Sequence, residues 1–138
     1  MGQSDYRLDD QVGFLMRRAN QRHLALFAAR IDAVTPMQFA VLARLYERGA
    51  MSQNALGRAV AMDGATIKGV VDRLRAKALI AAGPDPDDQR RLSLRLSPEG
   101  RDWFAAQVGT GHQISAETLA PLSEQESATL LALLARLG

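Results

Sequence analysis

A chain of 138 residues with 47% hydrophobic content is one domain's worth by length and can bury a real core. It contains no cysteine, which excludes disulfide scaffolds, thiolate metal sites, cysteine nucleophiles and thiol-based redox sensing. Formal charge is only +2 but unevenly spread: Thr35 to Gly100 holds ten Lys/Arg against seven Asp/Glu, and Arg101 to Gly138 two against four, so the middle is the electropositive part. The first stretch, MGQSDYRLDDQVG, is polar and acidic without the basic start and apolar run of a signal peptide, and no apolar run is long enough to span a bilayer. The expectation is a soluble, cytoplasmic protein with no membrane partner.

In chain order, the apolar set Leu8, Val12, Leu15, Met16, Ala19, Leu26 and Phe27 follows helical spacing and predicts a long first helix over 8–31. TPMQ, Thr35 to Gln38, combines a Thr N-cap, a proline at the first helical position and a Gln completing a capping box. It opens a second helix running to about Arg48, with Gly49 as the stop. Ser52 is the N-cap of a short third helix whose inner face is Ala55, Leu56, Ala59 and Val60. Asp63 caps a fourth, running to about Ala78, with Ile67, Val70, Val71 and Leu74 inward.

A hairpin follows. LIAAG, Leu79 to Gly83, is a short apolar run, and Leu92, Leu94 and Leu96 alternate with Arg91, Ser93, Arg95 and Ser97, the period of a strand with one dry face. Pro84 and Pro86 flank Asp85 and predict a type I turn between the two runs, which places Arg90 and Arg91 near the tip. Ser97-Pro98 opens a fifth helix through Trp103, Phe104 and Val108, with a kink or pause expected at GTGHQ, Gly109 to Gln113. SEQE, Ser123 to Glu126, is a second capping box. It starts a last helix whose Leu130, Leu131, Leu133, Leu134 and Leu137 point several ways, so one contact face cannot bury them all. That predicts a dimer seam.

A short helix, a tight turn, a second helix and a hairpin, in that order, form a winged helix-turn-helix. In such a fold the second helix of the pair enters the DNA major groove while the hairpin reaches the backbone or minor groove, where arginine is favoured. On the wheel of the fourth helix, Ala65, Lys68, Gly69, Asp72 and Ala76 face outward, with Thr66 and Arg73 on the shoulder. Ala65 suits a thymine methyl, Gly69 allows close approach, and Thr66, Lys68 and Arg73 suit phosphate or base edges. Ser52, Gln53 and Asn54 at the start of the third helix, and Asp88, Arg90 and Arg91 on the hairpin, complete the candidate DNA-binding set.

TPMQFAVLARL, MSQNALGRAV, DGATIKGVVDRL and DPDDQRRLSLRLSPEG, read together, resemble the MarR (multiple antibiotic resistance regulator) family of winged helix-turn-helix repressors. The family's wing signature maps onto Asp88, Arg90, Leu96, Ser97 and Gly100. Gly69 stands where many members carry a larger polar or basic side chain, and Ala78 where a turn glycine is usual. The resemblance implies a mainly α fold with a small β-hairpin wing (α+β), residues 1–138 forming a single MarR-like domain. Its DNA-binding lobe would be 35–100, and its dimerisation helices 8–31 and 101–138. It implies that the matching arginine enters the minor groove while the aspartate positions the wing. It also implies a homodimer on palindromic double-stranded DNA, released by a small aromatic acid or related anionic ligand, with an aromatic acyl-CoA as a larger variant. The effector cleft would draw on Met16, Arg17, Asn20, His23 and Phe27 of the first helix and on Met37 and Phe39 of the second, with Arg22 and Arg30 as further anion partners. A structural, hydrogen-bonded His23 and plain core roles for Met16 and Phe27 are the alternative.

Only His23 and His112 occur, and no HExxH, P-loop or GxSxG motif, so neither a catalytic pair nor a metal cluster is expected, and no cofactor. The rival to a DNA-binding regulator is a winged-helix module that binds protein instead. Such a module would not need Lys68, Arg73, Arg90 and Arg91 on one face.

Overall fold

The computed structural model describes residues 5–138. After a 3-10 turn at Leu8–Asp10, the elements are α1 (Val12–Arg30), α2 (Pro36–Arg48), β1 (Met51–Ser52), α3 (Gln53–Ala59), α4 (Gly64–Ala76), β2 (Ile80–Pro84), β3 (Leu92–Leu96), α5 (Pro98–Leu119) and α6 (Glu124–Leu137). They divide into two units. One runs from Asp32 to Gly109, and the other comprises the chain through Ile31 together with Thr110–Gly138. The fold class is the expected one, mainly α with a small antiparallel sheet.

The Asp32–Gly109 unit is built on explicit caps. Thr35 accepts from the Gln38 backbone N–H at 3.1 Å while the Gln38 side chain accepts from the Thr35 N–H at 3.1 Å, closing the predicted capping box. Ser52 and Asp63 cap α3 and α4 through the N–H groups of Ala55 and Thr66. Each such cap satisfies a backbone donor that the helix start would otherwise leave unpaired, an effect of about 1 kcal/mol. Val41, Leu42 and Leu45 of α2, Leu56 of α3, Ile67, Val70, Val71 and Leu74 of α4, and Ile80, Leu94 and Leu96 of the strands are all buried. The expected inward face of α4 is therefore correct in full. Phe39 of α2 stacks on Phe104 of α5 with ring centroids 5.0 Å apart.

The sheet has the order β1-β3-β2, all antiparallel. The hairpin was legible, but its reversal lies later than the Pro84-Asp85-Pro86 corner. The tight turn is Asp88 to Arg91, closed by Arg91 N–H donating to the Asp88 carbonyl at 2.9 Å. Along β3, Ser93 is buried and Leu92 is 53% exposed, so the predicted alternation fails at its first two positions. Ser93 lies between Ser52 of β1 and Gly83 of β2, whereas Leu92 pairs only with Pro84. Flanked by a strand on each edge, the serine is shielded, whereas the leucine, at the end of the strand with a partner on one edge, is left exposed.

In the other unit α1 begins at Val12, not at Leu8, because Gln11 is extended and separates it from the 3-10 turn. The expected pause at Gly109–Gln113 is absent, and α5 runs unbroken from Pro98 to Leu119. A glycine costs only about 1 kcal/mol against alanine in a helix interior, too little to break a helix of that length. Ser123 and Glu126 form the predicted capping box of α6. Leu131, Leu133, Leu134 and Leu137 are all exposed.

Candidate nucleic-acid interface

α4 presents the expected outward set. Ala65, Lys68, Asp72, Arg73 and Ala76 are exposed, with Thr66 and Gly69 half-buried. Asp63 fixes the start of this helix, and the Thr66 backbone N–H bond holds its carboxyl below the usual aspartate range. Lys68 is less free than its position suggests, since its Nζ donates to Asp72 Oδ2 at 2.8 Å one turn on, and that bond lowers the Asp72 carboxyl. Engaging a phosphate through Lys68 therefore means exchanging Asp72 for it. The guanidinium of Arg73 folds back over Gly69, where a Cβ would lie 3.4 Å from Arg73 Nη1. The departure at Gly69 thus leaves the middle of the helix face to an arginine reaching in from position 73.

The wing is ordered by its own carboxylates. Asp85 Oδ1 accepts from the Asp87 N–H at 2.8 Å, and Asp88 Oδ1 accepts from the Arg90 N–H at 3.0 Å, two aspartate-centred turns in succession. Asp88 Oδ1 also lies 3.5 Å from Arg90 Nε, and the Arg90 side chain is 93% exposed. The aspartate thus braces the turn while the arginine projects.

Arg91 does not share that tip. With Leu92 it lines a surface groove of about 370 Å³ whose other walls are Ser52, Gln53, Asn54 and Arg58. The groove lies where the β1–β3 ladder ends at Ser52 and Ser93: α3 starts at the next residue, Gln53, and packs against β3. Sequence reasoning grouped Ser52, Gln53, Asn54 and Arg91 but missed Arg58 and Leu92. A two-residue strand is too short to leave a periodic signal, so the register joining α3 to β3 could not be read beforehand.

Comparison with known proteins converges on this arrangement. The MarR family model matches residues 34–92. The HTH-type transcriptional repressor NicR of Pseudomonas putida is 37% identical over 134 residues, covering 96% of this chain and 85% of NicR. The chain belongs to the MarR family. Among solved structures, a probable transcriptional regulator from Pseudomonas aeruginosa is 54% identical, with a TM-score of 0.90 over 96% of this chain and all of that one. BpsR of Bordetella bronchiseptica, whose DNA binding is regulated by 6-hydroxynicotinic acid, is 38% identical, with a TM-score of 0.91 over 97% of each chain. This MarR-family protein is accordingly a transcriptional regulator of winged helix-turn-helix type. No helix among its described residues is long and apolar enough to cross a membrane.

The α1 residues expected to line an effector cleft have mixed environments in this MarR-family chain. Met16, Arg17 and Asn20 are exposed, His23 is half-buried and Phe27 is buried. Met37 is exposed and Phe39 half-buried on α2, in the other unit. His23 Nδ1 lies 2.9 Å from Thr118 Oγ1, and the Thr118 hydroxyl donates to the Ile114 carbonyl at 2.8 Å. The single hydroxyl proton is thereby used, so His23 Nδ1–H is the donor and a neutral ring keeps its acceptor lone pair on Nε2. Arg22 donates to the Glu117 carbonyl at 2.7 Å and to that of Thr118, and Arg30 is ion-paired with the Glu117 carboxylate. Arg22 and Arg30, read from the sequence as further anion partners, are thus engaged by groups of the chain itself. Arg22 complements the last carbonyls of α5, where a cation is favoured, and Arg30 holds the Glu117 carboxylate beside them.

Proposed function

We propose that the chain is a homodimeric repressor that occupies a palindromic operator and is released by a small aromatic acid. The observation that carries this is the joint exposure of the α4 face and of Arg90 on its Asp88-braced turn. On this reading α4 enters the major groove, with Thr66, Lys68 and Arg73 meeting base edges or phosphates and Ala65 and Gly69 permitting close approach. Arg90 reaches the minor groove or the flanking backbone. Dimerisation through residues 8–31 and 101–138 is supported by the exposed leucines of α6, and would set two recognition helices about 34 Å apart. The name of NicR supports repression, and the regulation of BpsR by 6-hydroxynicotinic acid supports a small heteroaromatic acid as effector. For such a ligand the Nε2 of His23 and the side-chain amide of Asn20 are polar groups that the α1 stripe offers. An effector shifts operator occupancy only by its preference for the geometry that does not bind DNA, typically about 1 to 3 kcal/mol.

Arg90→Ala tests the reading by gel-shift on DNA flanking the protein's own gene. The variant should remain a folded dimer, lose roughly 1–3 kcal/mol of binding, and flatten the plot of log affinity against log salt by about 0.9. Wild-type affinity and slope in that variant would remove the wing from the interface. His23→Ala, in turn, should weaken release by 6-hydroxynicotinic acid more than it weakens DNA binding.

A further inference from the structure

We propose that Arg58 of α3 and Arg91 of β3 form the two cationic walls of a seat for one phosphate of the DNA backbone. A single phosphodiester would then tie the helix-turn-helix to the wing. This deepens the DNA-binding reading and rests on it.

The seat has a defined origin. β1 locks Ser52 to Ser93, and α3, which starts at Gln53, packs against β3 so that its first turn and Arg58 share a groove with Arg91 and Leu92. The groove so formed is lined by two arginines and three uncharged polar residues, with Leu92 as its apolar patch and no carboxylate among them. Two of the wing's three carboxylates are already engaged: Asp85 accepts from the Asp87 N–H, and Asp88 accepts from the Arg90 N–H and faces the Arg90 side chain. Among the described residues neither Arg58 nor Arg91 has an ion-pair partner, whereas Arg30, Arg44 and Lys68 all do. Two guanidinium groups sharing one groove repel each other until an anion separates them. A phosphate, with several acceptor oxygens, satisfies both forks at once. Leu92, 53% exposed beside them, offers an apolar surface matching a deoxyribose. The seat adjoins Arg90 in sequence and belongs to the helix before α4, so a phosphate there is part of the strand that those elements meet.

The test uses the full-length protein and an operator duplex selected with wild type, carrying one neutral methylphosphonate moved position by position through a half-site. Arg58→Gln should weaken binding roughly tenfold and lower the salt slope by about 0.9, while leaving the ranking of operator variants unchanged. One methylphosphonate position should cost wild type roughly tenfold and cost both Arg58→Gln and Arg91→Gln less than about twofold, because the charge it removes has lost its partner. Arg58→Lys should restore part of the salt slope, as a merely structural role would not require. Wild-type affinity in a folded Arg58→Gln variant, or different insensitive positions for the two arginines, would overturn the seat while leaving DNA binding intact. Wild type that binds no duplex would instead overturn the underlying reading. Calorimetric binding of inorganic phosphate that needs Arg58, without Arg58-dependent operator affinity, would assign the groove to a free phosphorylated ligand and overturn the proposal.

Discussion

The two units of this chain solve the burial problem differently. In the Asp32–Gly109 unit, Leu42, Leu45, Leu56, Ile67, Leu74 and Leu94 are almost wholly removed from solvent, and Met37, Tyr46 and Leu92 are the large apolar residues left outside. In the other unit, Phe27, Ile31 and Ile114 are the buried hydrophobics among the described residues, against an exposed set that includes Leu8, Val12, Leu15, Leu24, Leu131, Leu133, Leu134 and Leu137. One unit is saturated with its own contacts. The other displays the scattered apolar surface that a second copy of the chain would cover, since a monomer leaves such patches exposed at a cost in solubility.

Substitutions can sharpen or break that contrast. The largest effect is expected at Gly100, where a Cβ would lie 1.8 Å from the Leu79 carbonyl oxygen, a backbone atom that cannot yield. Gly100→Ala should destabilise the DNA-binding lobe by roughly 3 kcal/mol or more in urea denaturation. A loss below about 1 kcal/mol would mean that the lobe is looser than its buried core implies. Next is a matched pair of leucines. Leu42→Ala, at a position with no exposure, should cost about 2–5 kcal/mol at every protein concentration. The double change Leu131→Glu and Leu134→Glu, at exposed positions, should instead act on association, giving monomer by sedimentation and a melting temperature that no longer rises with concentration. Equal concentration dependence in both variants would erase the distinction between the units.

Smaller effects concern single backbone and charge positions. Ala78 holds φ +59°, the left-handed conformation that costs an alanine but not a glycine. Ala78→Gly should therefore stabilise the lobe by roughly 0.5–1 kcal/mol, the steric relief exceeding the extra flexibility of the unfolded chain. The smallest effect is on the acid side. Asp63 has its carboxyl held below the ordinary value by the Thr66 N–H, so the stability it contributes is complete above about pH 4 and is lost as pH falls through the lowered value. Asp63→Asn keeps an N-cap acceptor without the charge. It should flatten the acid limb of the lobe's urea midpoint between pH 7 and 3 while leaving α6, capped by Ser123 and Glu126, to weaken as before.

What was legible in the sequence was what local chemistry writes there. Thr35 with Gln38, Ser52, Asp63, and Ser123 with Glu126 each announced a helix start, because cap and capped donor lie within three residues. The outward face of α4 followed from one helical period. Features needing a distant partner were hidden. Nothing near Arg22 in sequence points to the carbonyl of Glu117, 95 positions away, and nothing in Leu92 tells that the sheet has run out of neighbours there. The groove of Arg58 and Arg91 belongs to the same class, since it depends on a two-residue strand.

The wing tip has a further consequence for how such a protein would find its target. Asp85 to Arg91 carries three aspartates against two arginines, so the segment that projects Arg90 is itself net negative. Beyond a screening length of about 8 Å the tip is therefore not drawn toward an arbitrary duplex. On the proposed reading its arginine would become favourable only in close register, when the guanidinium outreaches carboxylates already committed to the backbone N–H groups of Asp87 and Arg90. The tip that carries Arg90 would thus contribute little to sliding along random sequence and much to residence time once the recognition helix has seated. That division would shorten the search by keeping dwell at wrong sites brief, because the sequence-independent attraction that prolongs such dwell is the part the aspartates would suppress.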